Sequence, residues 1–304
     1  MLELIDKNKI NLLDAVLKPY DQLRSYRYFF SSEEWIRAYL EVYQPSSVVL
    51  VTNSDNYSLL LKEGSSYHFL GTPFNDFNGI CNVKNSSSYH ESFLANLMEL
   101  DYPVILNNIF EEELMRMLEK TGRRLRPSSC VSVKSSATGF ACNISKRIKK
   151  MYIKHESSLS FRRIYAGDLS QKDLVFFREM LKIRQRKLKS RRMGNYNPSF
   201  EAAFNQLITI LFSNNNKSIF MDACFLLEQP VAMALYFAHE KQLIHYIRMH
   251  EDCGNKISYG LLLDYWTAIQ NDQECIHVWD LTRGNASYKY RIGGCDYELS
   301  NFRI

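Results

Sequence analysis

Between residues 218 and 249 three runs rich in β-branched and aromatic residues, 218–227, 231–238 and 243–249, are separated only by Glu228-Gln229-Pro230 and by His239-Glu240-Lys241-Gln242. Connections this short join antiparallel neighbours, so the runs predict an antiparallel meander. Two helical patterns precede it. The first, 174–192, is apolar at its start, basic at its end and broken by Gly194. The second opens at Pro198 and repeats Phe200, Ala203, Phe204, Leu207 and Ile208 at helical spacing. A loop with Gly254, Ser258 and Gly260 follows the meander, then a helix over 259–269 and a strand over 275–280.

The first half reads differently. Ser31-Ser32-Glu33-Glu34 places a capping hydroxyl and two acids before Trp35, Ala38, Tyr39 and Val42, which predicts a helix start, and Pro45 ends that helix. Strands are predicted over 47–52, 58–62 and 67–70, the last ending at Gly71, with helices over 88–100 and 109–120 around a strand at 103–106. This alternation is α/β or α+β. The stretch 123–143 is Ser-rich, with one short strand candidate at 130–134; a helix over 144–155, a strand over 159–165 and a final strand over 297–304 complete the reading. At about 150 residues per domain, a chain of 304 residues suggests two domains.

With 46% hydrophobic and 23% charged residues the composition is that of a globular protein, which excludes a disordered tail, a collagen-like fibre and a coiled-coil rod. The longest apolar run, 218–227, is interrupted by Asp222 and is too short to cross a bilayer. The opening MLELIDKNKINLLD has acids where a secretory signal has an apolar region, so the expected address is the cytoplasm. Seven cysteines without a CxxC pair argue against a disulfide framework or a metal site. Charge is concentrated: 146–192 holds 16 lysines and arginines against 4 aspartates and glutamates, in a chain whose net charge is +5. Such a segment fits an anionic partner (a phosphorylated cofactor, a nucleotide, nucleic acid or an anionic membrane surface), and equally a solvated basic helix face.

Two places invite chemistry. Gly254, Ser258 and Gly260 precede or open a helix, where small residues and free N–H groups make a seat for phosphate. Asp280 closes a predicted strand beside Arg283, Gly284, Tyr288 and Lys289, a constellation that reads either as a polar site or as a loop with a local ion pair. His245 is mid-strand, with Ile244, Tyr246 and Arg248 expected on the opposite face, and reads as structural. His250, at the strand end, reads as a base or as a structural histidine, and Asp76 as a site residue or a turn former.

Several motifs combine in a specific way: the basic helix end with Met193-Gly194, Phe200-Glu201-Ala202-Ala203-Phe204, Gln229-Pro230-Val231-Ala232, Ile257-Ser258-Tyr259-Gly260-Leu261-Leu262-Leu263, and Trp279-Asp280-Leu281-Thr282-Arg283-Gly284 with Tyr288-Lys289. In these residues the stretch 184–293 resembles the acetyltransferase family associated with bacterial cellulose and exopolysaccharide synthesis, within the GNAT superfamily of acyl-CoA N-acyltransferases. Phe29-Phe30-Ser31-Ser32-Glu33-Glu34-Trp35, Phe69-Leu70-Gly71 with Asp76, and the basic helix at 146–150 extend the resemblance toward the N-terminus. It departs from the usual Gln/Arg-x-x-Gly-x-Gly/Ala pyrophosphate loop, since Asn255-Lys256-Ile257-Ser258-Tyr259-Gly260 keeps one of those glycines.

The resemblance implies a Fem-like pair of GNAT-type halves, 1–165 degenerate and 166–304 binding acyl-CoA, with mixed, mostly antiparallel sheets flanked by helices. It implies acetyl-CoA or another acyl-CoA as co-substrate, no metal, and a small-molecule or lipid- or nucleotide-linked sugar as acceptor. Ser258, Tyr259 and Gly260 would seat the pyrophosphate, with Arg283 and Lys289 on a phosphate. Asp280 would orient or deprotonate the acceptor, His250 would serve as an alternative base, and Tyr288 would protonate the leaving thiolate. Arg186, Arg192 and Asp76 would contact the substrate. Two alternatives remain within the fold: a Fem-like aminoacyl transferase using charged tRNA, and a catalytically silent binding module.

Overall fold

The computed structural model describes residues 2–23, 25–53, 56–72, 74–82, 87–190, 198–213, 215–251 and 257–304. The chain divides into two units, Met1–Cys130 with Tyr297–Ile304, and Val131–Asp296. This division differs from a cut at residue 165. Residues 131–165 pack with the second unit, and the C-terminal strand returns to the first because its hydrogen-bonding partner lies there.

In the first unit β1 (Leu2–Asp6) is followed by three 3-10 segments and α1 (Glu33–Tyr43). Ser32 caps α1, its hydroxyl accepting from the Trp35 N–H at 3.4 Å, and Gln44 ends it in the left-handed region (φ 42°) before Pro45. Then come β2 (Ser47–Asn53), β3 (Asn56–Glu63), β4 (Ser66–Phe69), the two-residue β5 (Cys81–Asn82), α2 (Ser87–Met98), β6 (Val104–Ile109) and α3 (Glu112–Thr121). The sheet order is β1-β2-β3-β4-β6, closed by the C-terminal strand pairing antiparallel to β6; β4 and β6 pair in parallel. Tyr89, Phe93 and Leu97 of α2 and Leu114 and Leu118 of α3 pack on Val51, Leu60 and Leu106 of the sheet. β1 was not evident in the sequence.

β7 (Arg123–Lys134) carries the chain into the second unit. It is far longer than its readable core at 130–134, because its first half is largely exposed and shows no apolar alternation. There follow α4 (Phe140–Asn143), α5 (Lys146–His155), β8 (Leu159–Tyr165), α6 (Gln171–Ser190), α7 (Pro198–Ser213), β9 (Ile219–Leu226), β10 (Gln229–His239), β11 (Gln242–His250), α8 (Tyr259–Gln273), β12 (Val278–Arg283), α9 (Ser287–Arg291) and β13 (Cys295–Arg303). The meander is present as β9-β10-β11, all antiparallel; β8 extends it on one side and β12 joins β11 in parallel on the other. α6 starts earlier than its apolar pattern because Ser170 and Asp173 form a capping box, the Ser170 N–H donating to Asp173 Oδ2 at 3.1 Å while the Asp173 N–H donates to Ser170 Oγ at 3.1 Å. α8 runs past residue 269, which pushes β12 three residues toward the C-terminus and places Asp280 inside the strand. Among the described residues no helix is long and apolar enough to cross a membrane.

α8 also organises its surroundings. Asp272 accepts from the Phe140 and Ala141 N–H groups at 2.5 and 3.0 Å, holding the first turn of α4. Gly139 precedes that turn at φ 83° and ψ 177°, a region reserved for glycine, and a Cβ there would fall 2.6 Å from the Asp272 carboxylate. Asp272→Ala is therefore expected to cost about 1–2 kcal/mol, lowering Tm by roughly 2–5 °C in a melt followed by circular dichroism.

Candidate functional site

Parallel strands β11 and β12 share three registered pairs, Gln242↔Val278, Leu243↔Trp279 and Ile244↔Asp280. β11 then runs six residues further and β12 three, and among the described residues they no longer pair with each other. β10 follows β11 to the end, with Ala232 opposite His250, so β11 stays paired on that edge after it has parted from β12. The separation has a local cause. Tyr236 pairs with His245 and Leu235 with Ile247, leaving Tyr246 as an extra residue in β11. A bulge of this kind bends the strand and raises its twist.

The bulge also changes which side chains share a face, and here the sequence expectation is corrected. Simple alternation separates His245 from Arg248, but the extra residue reverses the phase. His245 stacks on Trp279 (6.0 Å, 7°) and lies 4.8 Å from the Tyr236 ring. Arg248 pairs with Asp264 of α8, and a Cβ on Gly260 of α8 would stand 3.3 Å from both Arg248 Nε and the His250 ring. His245, Arg248 and His250 thus all face α8, while Tyr246 turns to Phe204 of α7. At Gly260 the helix start lies close against these two side chains, so a larger residue would need them to shift.

The electrostatics follow from burial. Asp264 is completely buried, and burial pushes its carboxyl up to about 6 although Arg248 pulls the other way. The Arg248 guanidinium lies 3.6 Å from the Tyr288 ring centroid, a cation–π contact. Burial pushes the Tyr288 phenol up to about 12, against the opposing charge of Arg248. His245 is held well below the usual histidine range, first by burial and then by Arg248 and Lys289, so its ring stays neutral. Both its ring nitrogens, Asp264 Oδ1 and Trp279 Nε1 are buried without a hydrogen-bond partner among the described residues. Buried polar atoms are ordinarily satisfied, so four such atoms around one strand separation mark a place for water or ligand groups.

The other predicted site residues fall as follows. Asp280 is fully buried and accepts from the Thr282 N–H at 2.9 Å; Thr282 itself sits at φ 58°, a strained position for a β-branched residue. The Lys289 ammonium is buried and donates to the carbonyls of Leu281, Thr282 and Arg283 at 2.6, 3.0 and 2.7 Å. Its three protons are committed to fastening the end of β12, which leaves none for the phosphate expected of it. Arg283 is half-buried beside that clamp. Ser258 precedes α8 and accepts through its carbonyl from Leu261 and Leu262, while its side chain makes no cap bond; Tyr259 is buried. The His250 carbonyl accepts from Lys187 Nζ. Arg186 is exposed on α6, Asp76 is buried in the first unit, and Arg192 and Gly254 lie outside the described residues.

Tyr288, His250 and Gly260 are thus brought together through Arg248. Arg248 and Asp264 themselves were missed in the sequence, although each is a lone charge in an apolar run, Ile244-His245-Tyr246-Ile247-Arg248-Met249 and Leu261-Leu262-Leu263-Asp264-Tyr265-Trp266.

The first unit treats its parallel pair in the opposite way. β4 and β6 share two registered pairs, and then the chain that leaves β4 joins β6 itself through a parallel bridge, Asn78↔Ile109. Asn78 N–H donates to the Asn108 carbonyl at 3.0 Å, Asn108 Nδ2 to the Asn75 carbonyl at 3.0 Å, and Phe74, Phe77 and Ile80 are buried with them. Backbone and side chains of 74–80 occupy this edge of β6.

No protein-family model matches the chain, and no curated protein matches it. Solved structures do. The chain is similar to L-PGS from Bacillus licheniformis (TM-score 0.59, 11% identity, 89% of this chain and 91% of that one). It is similar to a conserved protein of unknown function from Bacteroides thetaiotaomicron (TM-score 0.61, 9% identity, 100% and 99%). It is also similar to FemX (TM-score 0.60, 9% identity, 90% and 91%). At such identities the likeness is one of fold alone, the mixed sheets flanked by helices described above.

The Asp264 carboxyl gives a pH signature. Its pKa is higher folded than unfolded, so the stability it contributes is fully present below about pH 4 and is lost as pH rises through about 6. Relative to Asp264→Asn, the wild type should lose on the order of 3 kcal/mol between pH 4 and pH 7 in denaturant titrations. A difference that stays flat with pH would show that Arg248 keeps Asp264 ionised throughout.

Proposed function

We propose that the second unit is an acyl-CoA-dependent N-acyltransferase acting on an amine of a sugar, nucleotide-sugar or envelope precursor. The observation that supports this most is the parting of β11 from β12 beside Gly260, with buried side-chain polar atoms of His245, Asp264 and Trp279 that lack partners among the described residues. These features fit a pantetheine arm, whose amides need a strand edge to bond and whose narrow chain suits a gap between strands. The start of α8 at Ser258, Tyr259 and Gly260 offers N–H groups and the positive end of a helix to the pyrophosphate, with Arg283 on a phosphate.

When bound, the thioester supplies the acyl group, which the acceptor amine takes by direct attack. The chain's own residues do the rest. Holding the two partners together removes an entropic barrier worth several kcal/mol. Tyr288, with its phenol pushed up to about 12, stays protonated at neutral pH and donates to the departing sulfur. Arg248 fixes the ring of Tyr288 from above and is itself fixed by Asp264. His250 and Asp280 are the candidates to accept the amine proton or to orient the acceptor. The exopolysaccharide connection rests on the sequence resemblance alone.

Thermal-shift assays with acetyl-CoA, longer acyl-CoAs and desulfo-CoA test this directly. At a hundredfold excess over Kd a CoA thioester should stabilise the protein by about 2.7 kcal/mol, a Tm rise of several degrees. Gly260→Val should abolish the shift and Arg283→Ala should reduce it. Tyr288→Phe, which keeps the ring and loses only the hydroxyl, should leave the shift intact and lower kcat by tenfold or more. Absence of any shift removes the acyl-CoA reading, and transfer supported only by aminoacyl-tRNA replaces it with the Fem-like one.

A further inference from the structure

The basic run at 146–192 is divided by the fold into cations that are used internally and cations that are not. On α6, Arg184 pairs with Glu201 at 2.8 Å and Lys187 reaches the His250 carbonyl, while Arg178, Lys182, Arg186 and Lys189 are exposed; on α5, Lys149 donates to the Cys142 carbonyl at 3.1 Å. The inner side of α5 carries Ile148, which is buried, and Tyr152, whose ring meets Tyr265 at 4.9 Å and Phe161 at 5.5 Å. Its outer side carries Lys146, Arg147, Lys150, Ile153 and Lys154, all exposed and spaced as one helical face. α5 contains no acid, and among the described residues none of these four cations has an ion-pair partner. Arg291 of α9, also exposed, joins the start of α5, its carbonyl accepting from the Ser145 N–H at 3.0 Å.

Ile153 is the telling residue, since 65% of it is exposed in the midst of the cations. A surface meant for nucleic acid gathers arginines and stacking aromatics. This face has one arginine, three lysines and no aromatic. Lysines around an outward apolar side chain, on a helix about 15 Å long, are the pattern of an element that lies in the plane of an anionic bilayer.

We propose that α5 is a membrane-surface docking element, with Lys146, Arg147, Lys150 and Lys154 on lipid phosphates and Ile153 entering the headgroup layer. This stands apart from the acyl-transfer reading and does not need it. The test is co-sedimentation of the full chain with vesicles of phosphatidylcholine alone or mixed with phosphatidylglycerol. Binding is expected only to the anionic vesicles and should weaken with salt. At about fivefold per cation, the variant Lys146→Gln/Lys150→Gln/Lys154→Gln should lose on the order of a hundredfold in partitioning. Ile153→Ser should lose severalfold. All these side chains are exposed, and an unchanged thermal melt checks that each variant folds. A control with the same charge loss elsewhere, Lys120→Gln/Lys217→Gln/Lys241→Gln, should partition like the wild type. The proposal is overturned if the wild type ignores anionic vesicles, if the α5 variants partition like the wild type, or if the control loses as much. Binding to tRNA or duplex DNA that depends on the same lysines, without vesicle binding, would assign the face to nucleic acid instead.

Discussion

A parallel β-ladder persists only while both backbones keep the same pitch. One extra residue at Tyr246 bends β11, and three pairs after the ladder with β12 begins it has ended. Every other feature of the candidate site depends on that divergence. It ends the pairing of β11 with β12 and turns His245, Arg248 and His250 to the same side. The end of β12 is fastened by the Lys289 ammonium, which draws three successive carbonyls around itself, and by the Asp280 side chain, which accepts from the N–H two residues onward. Thr282 is kept in a left-handed conformation between them, a local strain that the surrounding bonds sustain.

Both units contain a short parallel pair next to a helix, and they treat it oppositely. After β4 the first unit lays its own chain against β6 and fills the edge with asparagine bonds and phenylalanines. In the second unit the first turn of α8 lies against β11 instead, with Gly260 close to the Arg248 and His250 side chains. The site-bearing half is therefore distinguished by what each chain does after its inner strand, more than by the strands themselves.

Burial of charge in the second unit is dense and paired. Asp222 takes both arms of Arg163 at 2.8 and 2.9 Å and a hydroxyl from Thr267 at 2.7 Å, and Asp264 takes Arg248. Desolvating such groups is costly, and removing one partner from a buried pair costs more than the pair contributes. Their value lies in direction: α8 supplies Asp264, Thr267, Asn271 and Asp272, so the helix is oriented on the sheet by polar bonds as well as by apolar contact.

Much of the framework was legible in the sequence because it rests on local rules. Ser32 before two acids, Pro198, and the tight connections of the meander each act within a few residues, and the elements appear where those signals stand. The motif residues around Gly260 and Tyr288 were legible as well. What the sequence alone left undecided is non-local. A bulge is invisible to alternation, so Arg248 was read on the wrong face; the clamp made of Lys289 depends on where three carbonyls turn; β7 and β13 owe their place to partners far along the chain. A charged run likewise has no inside or outside until helices pack, and only packing separated cations bonded within the fold, such as Arg184 and Lys187, from exposed ones such as those on the outer side of α5. Local propensity determines which segments form; the energetics of pairing and burial, summed over distant residues, decide what faces what.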